Sequence, residues 1–287
     1  MSRNKDRLGQ RTVQHDDPPP QATQSNDGGG DSFSFVVPTE FVDLPSEGRF
    51  YPENHPLHNQ DTIEIKQMTA KEEDILTSRS LLKKGVALDR LIKSIIINKS
   101  INTDSLLVGD RNAILVAARI SGYGSEYNTR VTCPACMAQT QDNFSLFDYE
   151  VYSGVDLDSA DATINDDCTF TTLLPKCKME ITFKLLNGFD ERNLVAQIGN
   201  KKRKAGTEAS ITRQLKQMVV AVNGNTEQKM INYVVENMPS SDSRHLRVIY
   251  RKATPNLTLD HEFECPECGY ETEMEVPLTA DFFWPDR

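Results

Sequence analysis

Apolar positions follow different rhythms along the chain, and each rhythm predicts a different element. In DTIEIKQM, Ile63 and Ile65 alternate with polar neighbours, the period of a strand with one buried face. TAKEEDIL follows, and its Thr69 and Glu72 have the T-x-x-E spacing of a capping box, so a helix is expected from Ala70 to about Ser78. Leu88, Leu91, Ile92, Ile95 and Ile96 then fall at i, i+3, i+4, i+7 and i+8, the stripe of a second helix with Asn98 near its end. A third helix is expected from near Asp110, after Gly109. It buries Ile114, Leu115 and Ala118 and stops at Gly122 in the GYG turn.

CTFTTLLP and KMEITFKLL alternate like the arms of a hairpin, with Pro175 and Lys176 at the turn. Cys168 and Cys177 flank the first arm, which would hold them apart if extended, and they read as ordinary thiols. VDLDSADATINDD lacks the glycine and terminal glutamate of a calcium loop and reads as solvated linker. Helices return from about Asp190. Ile211, Leu215, Met218, Val219 and Val222 form one stripe that Asn223 and Gly224 end. Thr226 is placed to cap the next helix, whose stripe is Met230, Ile231, Val234, Val235 and Met238. Pro239 breaks it, and Ser240 or Ser241 can cap a last helix through HLRVIYRK.

Composition adds boundaries to this pattern. With 287 residues, 38% of them hydrophobic, the chain can bury a substantial core in one large domain or two ordinary ones. Residues 1–33 mix charge with Pro18, Pro19, Pro20 and Gly28, Gly29, Gly30. They carry too little apolar surface to offset the entropy of ordering, so a disordered arm is expected. No long apolar run or secretory h-region is present, so neither a membrane span nor a signal peptide is expected, and the chain should work in the cytoplasm where it is made. A net charge of -10 disfavours binding to a phosphate backbone. The one basic run, Lys201, Lys202, Arg203 and Lys204, lacks aromatic neighbours and reads as a solvated turn.

The strongest chemical signal lies in the cysteines. VTCPACMAQT carries Cys133 and Cys136, FECPECGYET carries Cys265 and Cys268, and each pair brackets a proline. The agreement continues beyond the thiols: Thr140 matches Thr272, Phe144 matches Val276, and Leu146 matches Leu278. Apolar residues at even offsets imply a strand after each knuckle with the same face buried. The two segments read as halves of one zinc ribbon. Closing a loop of roughly 130 residues costs about 4 kcal/mol in its length-dependent part, against about 10–16 kcal/mol of apparent binding free energy for structural zinc. The metal outweighs the loop, so the intervening residues can be an insertion.

Four thiolates fill a tetrahedral shell and leave no position for water or substrate, so such a zinc is structural. The alternatives are two half-sites completed by partners, a four-cysteine geometry without its metal, or a redox pair. Met137 stands where the second knuckle has Gly269, so the first turn must avoid positive φ or tolerate strain. His261, four residues before Cys265, is expected at the surface rather than as a fifth ligand. No nucleotide-binding, hydrolase or metalloprotease motif occurs, and His55 and His58 in HPLH read as surface loop. No acid–base pair stands out, and no enzymatic activity is expected.

The expected fold class is α+β, mostly helical segments with short antiparallel strands, and a split four-cysteine zinc ribbon joining the N-terminal half to the C-terminus. Its parts are the arm at 1–33, an N-terminal α+β region at 34–130, the ribbon at 131–149 plus 259–287, and an inserted hairpin and helical region at 150–258.

LPSEGRFYPENHPL, IEIKQMTAKEEDILTSRSLLKKG, LLVGDRNAILVAARISGYG, the CPAC knuckle and the ending FECPECGYETEMEVPLTADFFWP together resemble the baseplate hub assembly proteins of T-even-type contractile-tailed phages. That resemblance implies a non-enzymatic role in building the baseplate hub, either as an assembly chaperone or as a minor hub subunit. It implies hub or tail proteins as partners. It places the protein in the host bacterial cytoplasm during assembly, or in the virion tail baseplate. A nucleic-acid-binding zinc ribbon is the competing class. TEFVDLPSEGRFYP and the terminal FFWP, which combine aromatics with prolines, are the candidate contact surfaces; packing on the protein's own core is the alternative.

Overall fold

The computed structural model describes residues 37–154, 161–201, 210–276 and 280–283; the expected arm and Lys202, Arg203 and Lys204 lie outside them. Strand β1 (Thr39–Asp43) pairs antiparallel with β2 (Thr62–Lys66), from Thr39 opposite Lys66 to Asp43 opposite Thr62. Ile63 and Ile65 are buried, as their alternation predicts. The capping box is present at the start of α1 (Ala70–Thr77), where the Thr69 N–H and hydroxyl donate to the Glu72 carboxylate at 2.9 and 2.6 Å. A short α2 (Arg79–Lys84) intervenes, and α3 (Ala87–Ile95) buries Leu91, Ile92 and Ile95. Ile96 leaves that helix and bridges to Ile65.

Helix α4 (Val108–Tyr123) buries Ile114, Leu115 and Ala118, but it runs through Gly122 and ends at Gly124, whose φ of 85° lies outside the helical range. It packs against α3, β1 and later elements, which makes it the pillar of the fold. After it come the hairpin β3 (Glu126–Thr132) and β4 (Gln139–Ser145), then β5 (Glu150–Tyr152). The acidic stretch is not wholly linker. Ala162–Ile164 forms β6, an edge strand on β7 (Thr169–Leu173), and residues 155–160 lie outside the described set. Cross-strand pairing supplied by a neighbour overrides a polar local sequence here. The expected hairpin joins β7 to β8 (Glu180–Lys184).

Helices α5 (Gly188–Lys201) and α6 (Ser210–Met218) follow, and here the structure corrects the expected stripe. The helix stops at Met218, and Val219–Val222 becomes β9, the fourth strand of a β6-β7-β8-β9 sheet. Val-Val-Ala-Val suits a strand by its β-branched side chains, and pairing with β8 decides the matter. Asn223 (φ 48°) and Gly224 (φ 74°) then make a tight turn after a strand rather than a helix stop. Helix α7 (Gln228–Asn237) has Glu227 rather than Thr226 at its cap position, and α8 (Ser240–Ala253) has Pro239 rather than either serine. The first turn of α8 is pinned differently. Buried Asp242 accepts the Lys176 and Cys177 N–H groups, both at 2.9 Å, so α8 clamps the tip of the β7–β8 hairpin.

Strand β10 (Asn256–Thr258) returns to pair with β5, and β11 (Asp260–Glu264) forms a hairpin with β12 (Glu271–Glu275). A 3₁₀ turn at Ala280–Phe283 closes the described chain. One hydrophobic core contains Val42, Leu91 and Ile114 together with Phe170, Phe183 and Leu246, so residues from 150–258 and from 34–130 pack into the same interior. The first turn of α4 lies directly on the chain leading into β10: a Cβ on Gly109 would stand 2.1 Å from the Pro255 carbonyl oxygen.

At the N-terminal end of α4 lies a buried polar knot. Asp110 accepts the Ser46 N–H at 3.0 Å and the Ser46 and Tyr51 hydroxyls, each at 2.7 Å, and the Leu107 N–H donates to the Tyr51 oxygen at 3.0 Å. The LPSEGRFYP segment is therefore fixed by its own helix, with Phe50 and Tyr51 in the core; Phe41 is 70% exposed. Phe282 and Phe283 are also buried, so these two aromatics of the FFWP ending serve the interior.

Candidate metal centre

Each knuckle sits at the tip of a β hairpin. The ladder of β3 and β4 ends at Thr132 opposite Gln139, and that of β11 and β12 ends at Glu264 opposite Glu271. Beyond those pairs the two turns repeat one another. The Cys133 N–H donates to the Ala138 carbonyl and the Met137 N–H to the Cys133 carbonyl, both at 2.9 Å; the Cys265 N–H donates to Tyr270 at 2.9 Å and the Gly269 N–H to Cys265 at 2.8 Å. Met137 adopts φ 62° and Gly269 φ 67°, so the methionine tolerates the left-handed conformation that its counterpart takes as glycine.

The hairpin tips bring all four cysteines together. Their sulfurs lie within 4.8 Å of one another, with Cys133 to Cys268 at 3.8 Å and Cys136 to Cys265 at 3.7 Å. Four sulfurs placed about 2.3 Å from a central ion have tetrahedral edges of roughly 3.8 Å, so the donor set fits a tetrahedral thiolate-binding metal. The spacing is far beyond a disulfide bond of about 2.05 Å. Cys133 and Cys265 are buried, whereas Cys136 and Cys268 face outward.

Electrostatics argue for a cation in the same place. The Cys136 and Ala135 N–H groups pull the Cys133 thiol down to about 7. Cys268 receives the Tyr270 N–H, but desolvation and the neighbouring sulfurs of Cys136, Cys265 and Cys133 push it up to about 12. Cys133 therefore yields a thiolate readily, whereas the Cys136 and Cys268 thiols are pushed up. A divalent ion would supply the missing charge and keep all four deprotonated.

The two hairpins belong to separate two-stranded sheets. Besides the sulfurs, His261 joins them: its Nε2 lies 3.0 Å from the Asp142 carboxylate and its ring stacks on Phe144 at 4.7 Å. It is a tie between the halves, neither a fifth member of the sulfur cluster nor a free surface residue. Strand pairing places His261 on β11 and Asp142 on β4, and no sequence spacing relates the two. Of the matched positions, Leu146 and Val276 are buried and Phe144 packs against the core, while Leu278 lies outside the described residues.

The other candidates do not converge. His55 meets the Ser105 hydroxyl at 2.8 Å and stacks on Tyr51, while His58 meets the Tyr51 carbonyl at 2.7 Å. Cys177 donates its S–H to Asp242 at 2.6 Å, and burial pushes its thiol up. Cys168 stands in the turn before β7 with φ 61°.

A family model described as T4 bacteriophage base plate protein matches residues 38–284. No curated protein and no solved structure matches the chain.

Proposed function

The chain belongs to the T4 bacteriophage base plate protein family, and from that premise we propose that it is a non-enzymatic assembly factor of the baseplate hub, a scaffold that holds hub or tail proteins until the baseplate forms. The observation that carries this reading is an exposed apolar groove. Phe41, Phe147, Val151 and Tyr149 are 70, 63, 55 and 38% exposed around a cleft floored by α4 through Ala113, Val116 and Ala117. Large apolar residues clustered in this way mark a surface that a partner covers. In this reading Cys133, Cys136, Cys265 and Cys268 hold a structural zinc that keeps the two hairpins together and takes no part in chemistry.

Affinity capture from cells co-expressing the other tail proteins tests the proposal. The native chain should retain a hub or tail protein, and Phe41→Ser with Phe147→Ser should lose it. Capture unaffected by both substitutions rejects the groove as the contact. The second reading is a minor structural subunit of the hub, which the same surface would serve. Mass spectrometry of purified virions separates the two, because near-stoichiometric copies in mature particles reject the assembly-factor reading. Such a protein acts in the host cytoplasm during assembly. DNA binding with a steep salt dependence at physiological ionic strength would favour a nucleic-acid-binding ribbon instead.

A further inference from the structure

A second concavity lies away from the aromatic groove, where α8 and α6 meet the β5–β10 ribbon. It encloses about 640 Å³, the size of a specific ligand site, and its walls include Tyr152, Met218, Arg247, Tyr250, Arg251 and Lys252. Among the described residues, no aspartate or glutamate lines it. In a chain of net charge -10, two arginines on one wall of a cavity with no acid among its described lining residues call for a cause.

Helix electrostatics accounts for part of this. Arg251 and Lys252 stand in the last turn of α8, where cations are favoured by the helix dipole. Arg247 stands one turn earlier, beyond the reach of that effect. Its Nε is buried and has no hydrogen-bond partner. A donor held in this way costs free energy until an acceptor arrives. Arg247 and Arg251 are separated by i, i+4, so both guanidinium groups leave the same face of α8.

We infer that this cavity is a docking site for an acidic segment of a partner protein, with Arg247 and Arg251 each gripping a carboxylate. Planar guanidinium groups bind carboxylates in paired hydrogen bonds. Between them the tyrosine rings and Met218 offer an apolar wall for the side chains that separate the acids. The Tyr152 hydroxyl is already committed to the Lys252 carbonyl at 2.5 Å, and the Tyr250 oxygen accepts the Leu186 N–H at 3.2 Å, so the rings are held in place. A long polyanion such as nucleic acid is disfavoured by the acidic remainder of the protein. The inference does not depend on the assembly-factor reading, because a permanent subunit needs contacts of the same kind.

The test is titration of the full-length, folded protein with a synthetic peptide alternating aspartate and leucine, beside the same peptide with asparagine for aspartate, inorganic phosphate, and a single-stranded oligonucleotide. The aspartate peptide should bind saturably at low salt and the asparagine peptide should not. Arg247→Ala and Arg251→Ala should each weaken binding by about tenfold or more, with circular dichroism unchanged. Arg247→Glu with Arg251→Glu should transfer the preference to a lysine–leucine peptide. Binding that survives both alanine substitutions overturns the proposal. So does the absence of saturable binding, or stronger binding of phosphate or the oligonucleotide.

Discussion

Around the four cysteines, buried apolar support amounts to Phe263 beside Cys133 and Cys265, with Val131 and Met274 partly covering them. The body beneath is different: α4 shares one core with the fully buried Ile65, Leu91, Ile92, Ile95 and Leu106 and with the Phe170–Phe183 stack. The first region is assembled by sulfur geometry and the second by packing. The tip has little apolar burial to hold two hairpins together by the hydrophobic effect, whereas the body is closed by the packing of its own side chains. Anchoring lies at the hairpin bases, where Tyr127, Leu146, Leu259 and Val276 enter the main core.

The largest expected effect separates the two regions outright. Chelation, or Cys265→Ser, should abolish stoichiometric metal and release an interaction worth about 10–16 kcal/mol in apparent binding. Hydrogen exchange and proteolysis should then increase in β3, β4, β11 and β12 while α3 and α4 keep their protection. Metal retained at full stoichiometry in the mutant would reject the four-cysteine site. Simultaneous loss of protection in α4 would show that clasp and body are one cooperative unit.

The next effect belongs to the body. Asp110→Ala leaves the Ser46 N–H and the Tyr51 hydroxyl without their buried acceptor and should cost about 3 kcal/mol in denaturant unfolding, with metal content unchanged. Burial pushes the Asp110 carboxyl up from its ordinary range, so Asp110→Asn, which removes the desolvated charge and keeps the shape, should cost less. Equal losses in the two variants would mean that charge rather than hydrogen-bond shape holds the knot.

A smaller effect has a pH signature. Burial of Glu72 raises its pKa, but the hydrogen bonds from Lys66, Ser94 and Thr69 outweigh it and pull the carboxyl down to about 2. A depressed folded-state value stabilises above the ordinary 4.5 and loses that contribution as pH falls through about 2. Glu72→Ala should cost about 2 kcal/mol at neutral pH, and its difference from the native chain should shrink on acidification through that window. A difference that stays constant with pH would assign the cost to lost packing of the buried side chain rather than to its charge.

The smallest effect compares the knuckles themselves. Met137→Gly relieves a left-handed backbone costing about 1–2 kcal/mol, partly offset by about 0.5–1 kcal/mol of added unfolded-state freedom. A net gain near 0.5 kcal/mol should appear as slightly slower metal loss to a chelator. Gly269→Met should do the reverse.

Local rules read best where one residue's neighbours in sequence are also its neighbours in space. The T-x-x-E box at Thr69, the α3 stripe and the β7–β8 hairpin were legible for that reason, and the four cysteines were legible because two copies of one short motif announce a shared geometry. The pattern failed where a distant strand intervened. Ala162–Ile164 looked like linker and Val219–Val222 like the end of a helix, yet both became strands because β7 and β8 offered them open edges.

By itself, the sequence determined the helical and extended runs and the two matching knuckles, since backbone propensity, side-chain period and ligand spacing act over a few residues. Tertiary structure alone decided that Asp110 would bind Ser46, that His261 would meet Asp142, and that the Arg247 Nε would be buried without an acceptor among the described residues. Each of those depends on the burial and facing of groups far apart along the chain, and both the cost of an unpaired buried charge and the gain from pairing it exist only once water has been excluded.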